Sequence, residues 1–338
     1  GMLLPAGFLQ PPPCQEAERW FTIAFDLLQP VHTISCLVSQ SRAEASVYFH
    51  SQPRTMAVGG DAAARGIALR VNVVDSFSSA VSAELSEVFA GVSVIALDAE
   101  GVSLSRLGSI SIVQVSTPDC CVIVDVLDKA PGDPLVGWLR NLLENEQVLK
   151  IIHDCCEDAD ALYHQLRIDL TNVHDTSCWH EALTGEAHKN LNHVLISNGL
   201  ETNQFRDCSV YRTDYRYWAR RPLTDEMESW ASGDVKFMFD LYRAQRSKPV
   251  SDGVTGRIQS ATAENLSWKT ASVGFVTVKK PGKFIGSGGA NIAQLRRSTR
   301  TNIHCAPETT PGYCDGMFMV YYHSDESFQR VRQAAARC

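Results

Sequence analysis

Two carboxylates stand two positions apart in the apolar segment 92–104, whose sequence is V-S-V-I-A-L-D-A-E-G-V-S-L. If this segment is a strand, Asp98 and Glu100 project from the same face, because strand side chains alternate between the two faces. Two like charges beside a core are unfavourable unless a cation lies between them, and Mg²⁺ and Mn²⁺ prefer carboxylate oxygens. The alternative is a strand end at which both acids reach water, and this segment alone favours that alternative.

Two further acids occur in contexts that could bring them to the same place. Asp158 follows a short buried strand predicted at 148–152, and Asp234 lies inside a long amphipathic helix predicted over 225–243. Trp230 precedes Asp234 by four positions and therefore shares its helix face. The sequence thus offers four carboxylates from separate elements of an alternating α/β pattern.

These motifs, in this order, resemble the DEDD 3′–5′ exonuclease superfamily, and most closely its RNase D-like branch, which includes the 3′–5′ exonuclease domain-containing proteins. The matching motifs are I-A-L-D-A-E-G-V-S-L with I-S-I-V-Q-V-S, K-I-I-H-D-C-C-E-D-A-D-A-L, H-D-T-S at 174–177 and W-A-R-R-P-L-T-D-E-M-E-S-W-A-S-G-D-V at 218–235. The resemblance covers roughly residues 71–245. It implies an RNase H-like (DnaQ-like) domain with a mixed sheet.

The resemblance also implies phosphodiester hydrolysis with two divalent cations, Mg²⁺ or Mn²⁺, held about 4 Å apart. By this comparison Asp98 bridges both ions, and Glu100 and Asp234 complete the ligands of one. Asp158 supports the other ion through water. Because each carboxylate needs the cations to offset repulsion from the others, metal binding should stabilise the fold.

Trp230 departs from the family pattern. At this position the RNase D branch has a tyrosine that orients the attacking water, and a sister branch has a histidine one position later, where this chain has Ala231. An indole is a hydrogen-bond donor only, so it cannot take a proton from water. Two hypotheses therefore stand: an exonuclease whose activity is weak or unusual, and an RNA-binding adaptor that retains the exonuclease fold.

The segment 206–221 interleaves arginines with aromatic residues, a mixture that suits phosphate contacts and base stacking on a single strand. Its predicted RNA contacts are Arg212 and Arg216. The equally weighted alternative is a solvated loop whose aromatic side chains belong to the core. The segment lies just before the last acidic motif, and this position favours contact with the substrate.

A second motif lies near the C-terminus, in a region from 265 to 307 that contains no aspartate or glutamate. The sequence I-G-S-G-G-A-N-I at 285–292 resembles the glycine loop of a type I KH domain, which clamps single-stranded RNA. The resemblance implies RNA contacts from the loop and its basic surroundings: Lys283, Gly286, Ser287, Gly288, Gly289, Arg296 and Arg297. We expect strand, helix, loop, helix, strand, strand and helix, with the first helix hard to separate from residues 278–284.

These patterns divide the chain into four parts. Residues 1–70 form a small β-rich module of unknown role, 71–245 the exonuclease-like α/β domain, 246–270 a polar linker and 271–338 the KH-like α+β domain. The predicted partner is single-stranded RNA with a 3′ end, with DNA less favoured. Net charge is −7, so the basic C-terminal part carries the case for nucleic acid.

Composition is that of a globular protein, with 44% hydrophobic and 20% charged residues. No apolar run approaches the roughly 18 residues that a membrane span needs. The 11 cysteines include no C-x-x-C pair, which favours free thiols and a reducing intracellular compartment: cytoplasm or nucleus, with an organelle not excluded. Four histidines (174, 180, 188 and 193), together with Cys178, match no standard zinc spacing, so we interpret them as core or surface residues.

Overall fold

The structure is a computed structural model that describes residues 54–56, 69–187, 189–308 and 310–338. Most of the β-rich module predicted over residues 1–70 lies outside these residues. The described residues form two compact units, divided between Ala271 and Ser272. None of their helices is both long enough and apolar enough to cross a bilayer.

The larger unit is built on a mixed seven-stranded sheet of order β1-β2-β5-β4-β3-β6-β7. Strands β3, β4 and β5 form an antiparallel meander, whereas β6 and β7 continue the sheet in parallel from β3. The strands are β1 (Arg54–Met56), β2 (Leu69–Val74), β3 (Val94–Val102), β4 (Ser109–Ser116), β5 (Cys120–Asp125), β6 (Leu149–Ile152) and β7 (Val173–Asp175).

Helices cover both faces of this sheet. They are α1 (Ser79–Val88), α2 (Pro134–Leu143), α3 (Cys156–Ala161), α4 (Thr176–Thr184), α5 (Leu191–Ser197), α6 (Asp225–Arg246) and α7 (Asp252–Ser267). Helix α3 continues directly into a π-helical turn, Leu162–Leu166.

The side chains of β3 alternate between the two faces of the sheet, and each face is covered by different helices. Ile95 and Leu97 belong to the core shared with α1, α2 and α3, whereas Ala96 belongs to the core shared with α5 and α6. Asp98 and Glu100 lie two and four positions after Ala96 on the same strand. They therefore project from the same face as Ala96, which is the face that α6 covers. This arrangement places the acids of β3 opposite the acid of α6.

Residues 246–270 are not a linker, and this part of the domain prediction is wrong. Most of the segment is α7, capped by Ser251 and packed against α4. Asn265 Nδ2 donates to Asp175 Oδ2 at 3.0 Å, and Trp268 is buried. Helix α7 contains Gly253 and Gly256, and buried contacts on one face outweigh their low helix propensity.

The smaller unit follows the order strand, helix, loop, helix, strand, strand, helix that the sequence predicts. Its three-stranded antiparallel sheet has the order β8-β10-β9 and packs against the helices over one apolar core. The elements are β8 (Ser272–Thr277), α8 (Pro281–Ile285), α9 (Ala290–Thr299), β9 (Thr301–Cys305), β10 (Met317–Tyr322) and α10 (Asp325–Ala336). The short α8 is the helix that the sequence alone could not separate.

Candidate active site

Three of the four predicted acids converge in the larger unit. A carboxylate oxygen from each of Asp98, Glu100 and Asp234 lies within 4.8 Å of the others. Strand β3 supplies the first two, and the register of the β3–β4 pair shifts directly after Glu100. We call these three side chains, together with Asp158, the carboxylate cage.

Asp158 enters from α3 and is 6% exposed. Its Oδ1 atom is buried and has no hydrogen-bond partner among the described residues. A buried carboxylate oxygen without a donor is costly unless a cation or water satisfies it. Asp158 lies outside the tight group of three.

The cage is electrostatically strained without a cation. Burial and then the neighbouring charge of Asp234 raise the pKa of Asp98 to about 8. Burial and then the charge of Asp98 raise the pKa of Glu100 well above its ordinary value, and likewise that of Asp158. Divalent cations that bind carboxylate oxygens would remove this penalty, so the donor set fits Mg²⁺ or Mn²⁺.

Both oxygens of Asp234 already have donors. Asn203 Nδ2 donates to Oδ1 at 2.9 Å, and Trp230 Nε1 donates to Oδ2 at 2.9 Å. Arg206 Nη1 also contacts Oδ2, at 2.6 Å. The guanidinium is therefore a counter-charge at the edge of the cage, and a cation that binds Oδ2 would compete with it.

Sequence reasoning missed Asn203 and treated Arg206 only as one of several arginines in a loop. Gly233 could have indicated that another side chain packs here, because a Cβ atom at this position would lie 2.6 Å from the Asn203 amide. The small residues between Trp230 and Asp234 therefore make room for a side chain that orients Asp234.

The predicted site residue Trp230 lies where its position on α6 places it, but it is 1% exposed. Its ring centroid is 5.4 Å from that of Trp218 and 5.9 Å from that of Tyr211. Trp218 Nε1 donates to the Tyr211 hydroxyl at 2.8 Å, and this hydroxyl lies 3.5 Å from Glu100 Oε2. A phenol thus reaches the cage from another element, which the sequence did not predict.

The segment 206–221 has features of both interpretations. Trp218 is fully buried, and Arg221 Nη2 donates to Asp125 Oδ1 at 2.6 Å, which are structural roles. Arg216 and Tyr215 are exposed and remain candidates for RNA contact. The side chain of Arg212 lies outside the described residues.

The glycine loop of the smaller unit needs its glycines. Gly286, Gly288 and Gly289 have φ values of 78°, 57° and 76°, a region that other residues rarely adopt. At Gly286 a Cβ atom would also lie 2.6 Å from the Asn291 side chain. The glycines on either side of Ser287 therefore carry no side chain, which suits close approach of a phosphate to the loop backbone.

The basic residues predicted to assist the loop differ in availability. Arg297 is exposed. Lys283 Nζ donates to the Arg337 carbonyl at 2.8 Å, and Arg296 Nε donates to the Ile303 carbonyl at 3.0 Å. Of these three basic side chains, that of Arg297 is thus the most available for contact with RNA.

Comparison with known proteins finds relatives that share part of this sequence. Ribonuclease D of Nitrobacter hamburgensis is 31% identical over 133 residues, which are 39% of this chain and 32% of that protein. The piRNA biogenesis protein EXD1 of Mus musculus is 33% identical over 104 residues, which are 31% of this chain and 18% of that protein. The chain thus spans about a third or less of these relatives' length.

A solved structure is similar to this chain in fold. Trypanosoma brucei RNase D in complex with RNA U12 has a TM-score of 0.50 and 27% identity, over 59% of this chain and 70% of that one. The mixed α/β sheet is consistent with the expected RNase H-like exonuclease fold. Residues 75–248, more than half of the chain, match the 3'-5' exonuclease family, and the chain belongs to that family.

Proposed function

We propose that this chain is an exoribonuclease that shortens single-stranded RNA from its 3′ end with two divalent cations, Mg²⁺ or Mn²⁺. The observation that carries the proposal is the cage itself: three converging carboxylates and a fourth, Asp158, with an unsatisfied buried oxygen. Support for RNA comes from the relatives, one of which is a ribonuclease D and another an RNase D bound to RNA.

In this proposal Asp98, Glu100 and Asp234 hold the cations directly, and Asp158 does so through water. The cations, when bound, would stabilise charge on the attacking and leaving oxygens of the phosphodiester. Asn203 keeps the Asp234 carboxylate in place through its amide. Arg206, once displaced from Asp234, is free to bind the negative charge of the substrate.

Tyr211 supplies the hydroxyl that Trp230 lacks. Because Trp218 donates to its oxygen, the phenol hydrogen remains available to the cage. Burial and then the charge of Glu100 raise the pKa of this hydroxyl, so it stays protonated and acts as a donor. Its proposed role is to orient the attacking water, whose pKa bound cations would lower.

The smaller unit is the proposed RNA-holding module, a KH domain. Its element order, the positive φ values of its glycine loop and the exposed Arg297 support this assignment. Such a loop accepts a single-stranded backbone, so duplex DNA is the less favoured substrate. Free thiols at the described cysteines support a reducing intracellular compartment, the cytoplasm or nucleus.

The second candidate function is that of an RNA-binding adaptor with an inactive exonuclease fold. It is favoured by Trp230 and Arg206, which together engage the Asp234 oxygen that an active cage would offer to a cation. In that case the ion pair is permanent and RNA binding is the function that remains.

A cleavage assay separates the two. The full chain is incubated with 5′-labelled single-stranded RNA and Mn²⁺ or Mg²⁺, and the products are resolved on a gel. A ladder of 3′-shortened products that disappears in Asp98→Asn, but persists in the control Asp240→Asn on α6, supports the exonuclease. Tight RNA binding without shortening supports the adaptor, and absence of both contradicts the two proposals.

A further inference from the structure

A second group of metal-ligating side chains lies away from the carboxylate cage. His180 on α4 and His193 on α5 direct their Nε2 atoms at the same oxygen, Oε2 of Glu186. The two distances are 3.2 Å and 3.1 Å, and all three ligand atoms lie within 4.8 Å of one another. Sequence spacing did not indicate this group, because its members come from two helices and the loop between them.

The local structure holds the three side chains in these positions. Gly185 ends α4 with a φ of 79°, which turns the chain toward Glu186. Thr184 Oγ1 then accepts from the Glu186 backbone N–H at 3.1 Å. Asn190 caps α5 by accepting from the His193 N–H at 2.8 Å.

The distances suit a small tetrahedral cation. Zinc bonds to imidazole nitrogen and carboxylate oxygen are about 2.0–2.1 Å, which places neighbouring ligand atoms roughly 3.3 Å apart. The two observed separations are close to this edge length. His180 is 2% exposed, whereas Glu186 and His193 are 45% and 37% exposed, so a fourth position faces solvent.

From this geometry we propose that His180, Glu186 and His193 bind one Zn²⁺ ion, with water as the fourth ligand. Two imidazoles and one carboxylate are a zinc ligand set. Imidazole also favours Zn²⁺ over Mg²⁺ and Mn²⁺, which the oxygen-only cage prefers. The chain therefore has two chemically distinct metal sites.

The zinc ion fixes the loop between α4 and α5. The same loop contacts the segment that leads toward Asp158, because the Lys189 carbonyl lies 2.9 Å from His153 Nε2. His153 in turn contacts Thr176 Oγ1 through Nδ1 at 2.8 Å. The ion thus adds a tie between α4, α5 and the end of β6.

The test measures metal binding by the full, chelator-treated chain. Calorimetry with Zn²⁺, and visible absorption with Co²⁺ as a probe of tetrahedral ligation, are compared for wild type, Glu186→Gln and His193→Gln. The control is His323→Gln, an exposed histidine of the smaller unit. Loss of an outer-shell partner already costs about 10–100-fold in metal affinity, so loss of a ligand should raise the Zn²⁺ Kd at least tenfold.

A second arm uses Asp98→Asn to separate the two sites. We expect this variant to bind Zn²⁺ as wild type does and to lose the Mn²⁺-induced rise in Tm. His193→Gln should instead lose Zn²⁺ affinity and keep the Mn²⁺-induced rise in Tm. The proposal is overturned if wild type binds no Zn²⁺. It is equally overturned if both Glu186→Gln and His193→Gln keep wild-type Zn²⁺ affinity, or if Asp98→Asn is the variant that loses Zn²⁺.

Discussion

Replacing Arg206 with methionine should make the carboxylate cage bind divalent cations more tightly. Arg206 Nη1 lies 2.6 Å from Asp234 Oδ2, and Asp234 is fully buried, so the guanidinium competes with any cation for this oxygen. Methionine keeps most of the apolar stem and removes both the charge and the donors. The competition then disappears while the packing around the stem is largely retained.

The size of the effect follows from the ion pair. A hydrogen bond to a charged group contributes about 1.5–3 kcal/mol, and partial exposure of Arg206 (28%) places this pair at the lower end. Since about 1.4 kcal/mol is a factor of ten, we expect the Kd for Mn²⁺ to fall roughly tenfold. At saturating Mn²⁺ the metal-induced rise in Tm should grow by about 3–6 °C.

The measurement is calorimetric titration with Mn²⁺, together with thermal unfolding in EDTA and in Mn²⁺. In EDTA the variant should unfold at a lower temperature than wild type, because Asp234 has lost its counter-charge. The control is Arg216→Met, which removes an exposed arginine from the same segment. If Arg206→Met binds Mn²⁺ no more tightly than wild type, the cation does not use Asp234 Oδ2 and the competition does not exist.

Three further predictions follow from the cage and the glycine loop. Without metal, stability should fall as pH rises from about 4 to 8, because folded Asp98, with a pKa of about 8, keeps a proton that the unfolded chain has released. Melting curves across this range should show a flatter decline in Asp98→Asn, and an unchanged slope would mean that other groups cause it. Tyr211→Phe should reduce kcat about a hundredfold, the low end for a positioned acid–base group, and leave the Mn²⁺-induced rise in Tm unchanged. Trp230→Tyr in that background should restore activity, and equal kcat in all three chains would exclude a role for the phenol. Gly288→Asp should weaken binding of long RNA in a gel-shift assay but not the cleavage of very short oligonucleotides, and loss of both would point to general misfolding.

Much of the site follows from periodicity in the sequence. The alternation of β3 puts Asp98 and Glu100 on one face, and the four-residue spacing on α6 puts Trp230 beside Asp234. Both relations hold because backbone geometry fixes them locally. The indole–carboxylate hydrogen bond of 2.9 Å is a direct consequence of that spacing.

The remaining parts of the site depend on contacts that have no periodic signal. Tyr211 reaches Glu100 across 111 positions of sequence, from a loop whose path the tertiary structure determines. The helix over Asp252–Ser267 was missed because its buried face is narrow, with Ile258 and Thr262 as its buried positions. Local propensity carries little information about such contacts.

The burial of Trp230 has a spectroscopic consequence. Its indole N–H is bonded to the oxygen that a cation would approach, and the ring packs against Trp218. Entry of a divalent ion therefore changes the electric field on an emitting chromophore that water cannot reach. Mg²⁺ should shift the ultraviolet emission of this pair, and paramagnetic Mn²⁺ should quench it, with Trp230→Phe as the reference spectrum. The residue that departs from the family pattern thus gives the cage an intrinsic optical reporter of its own occupancy.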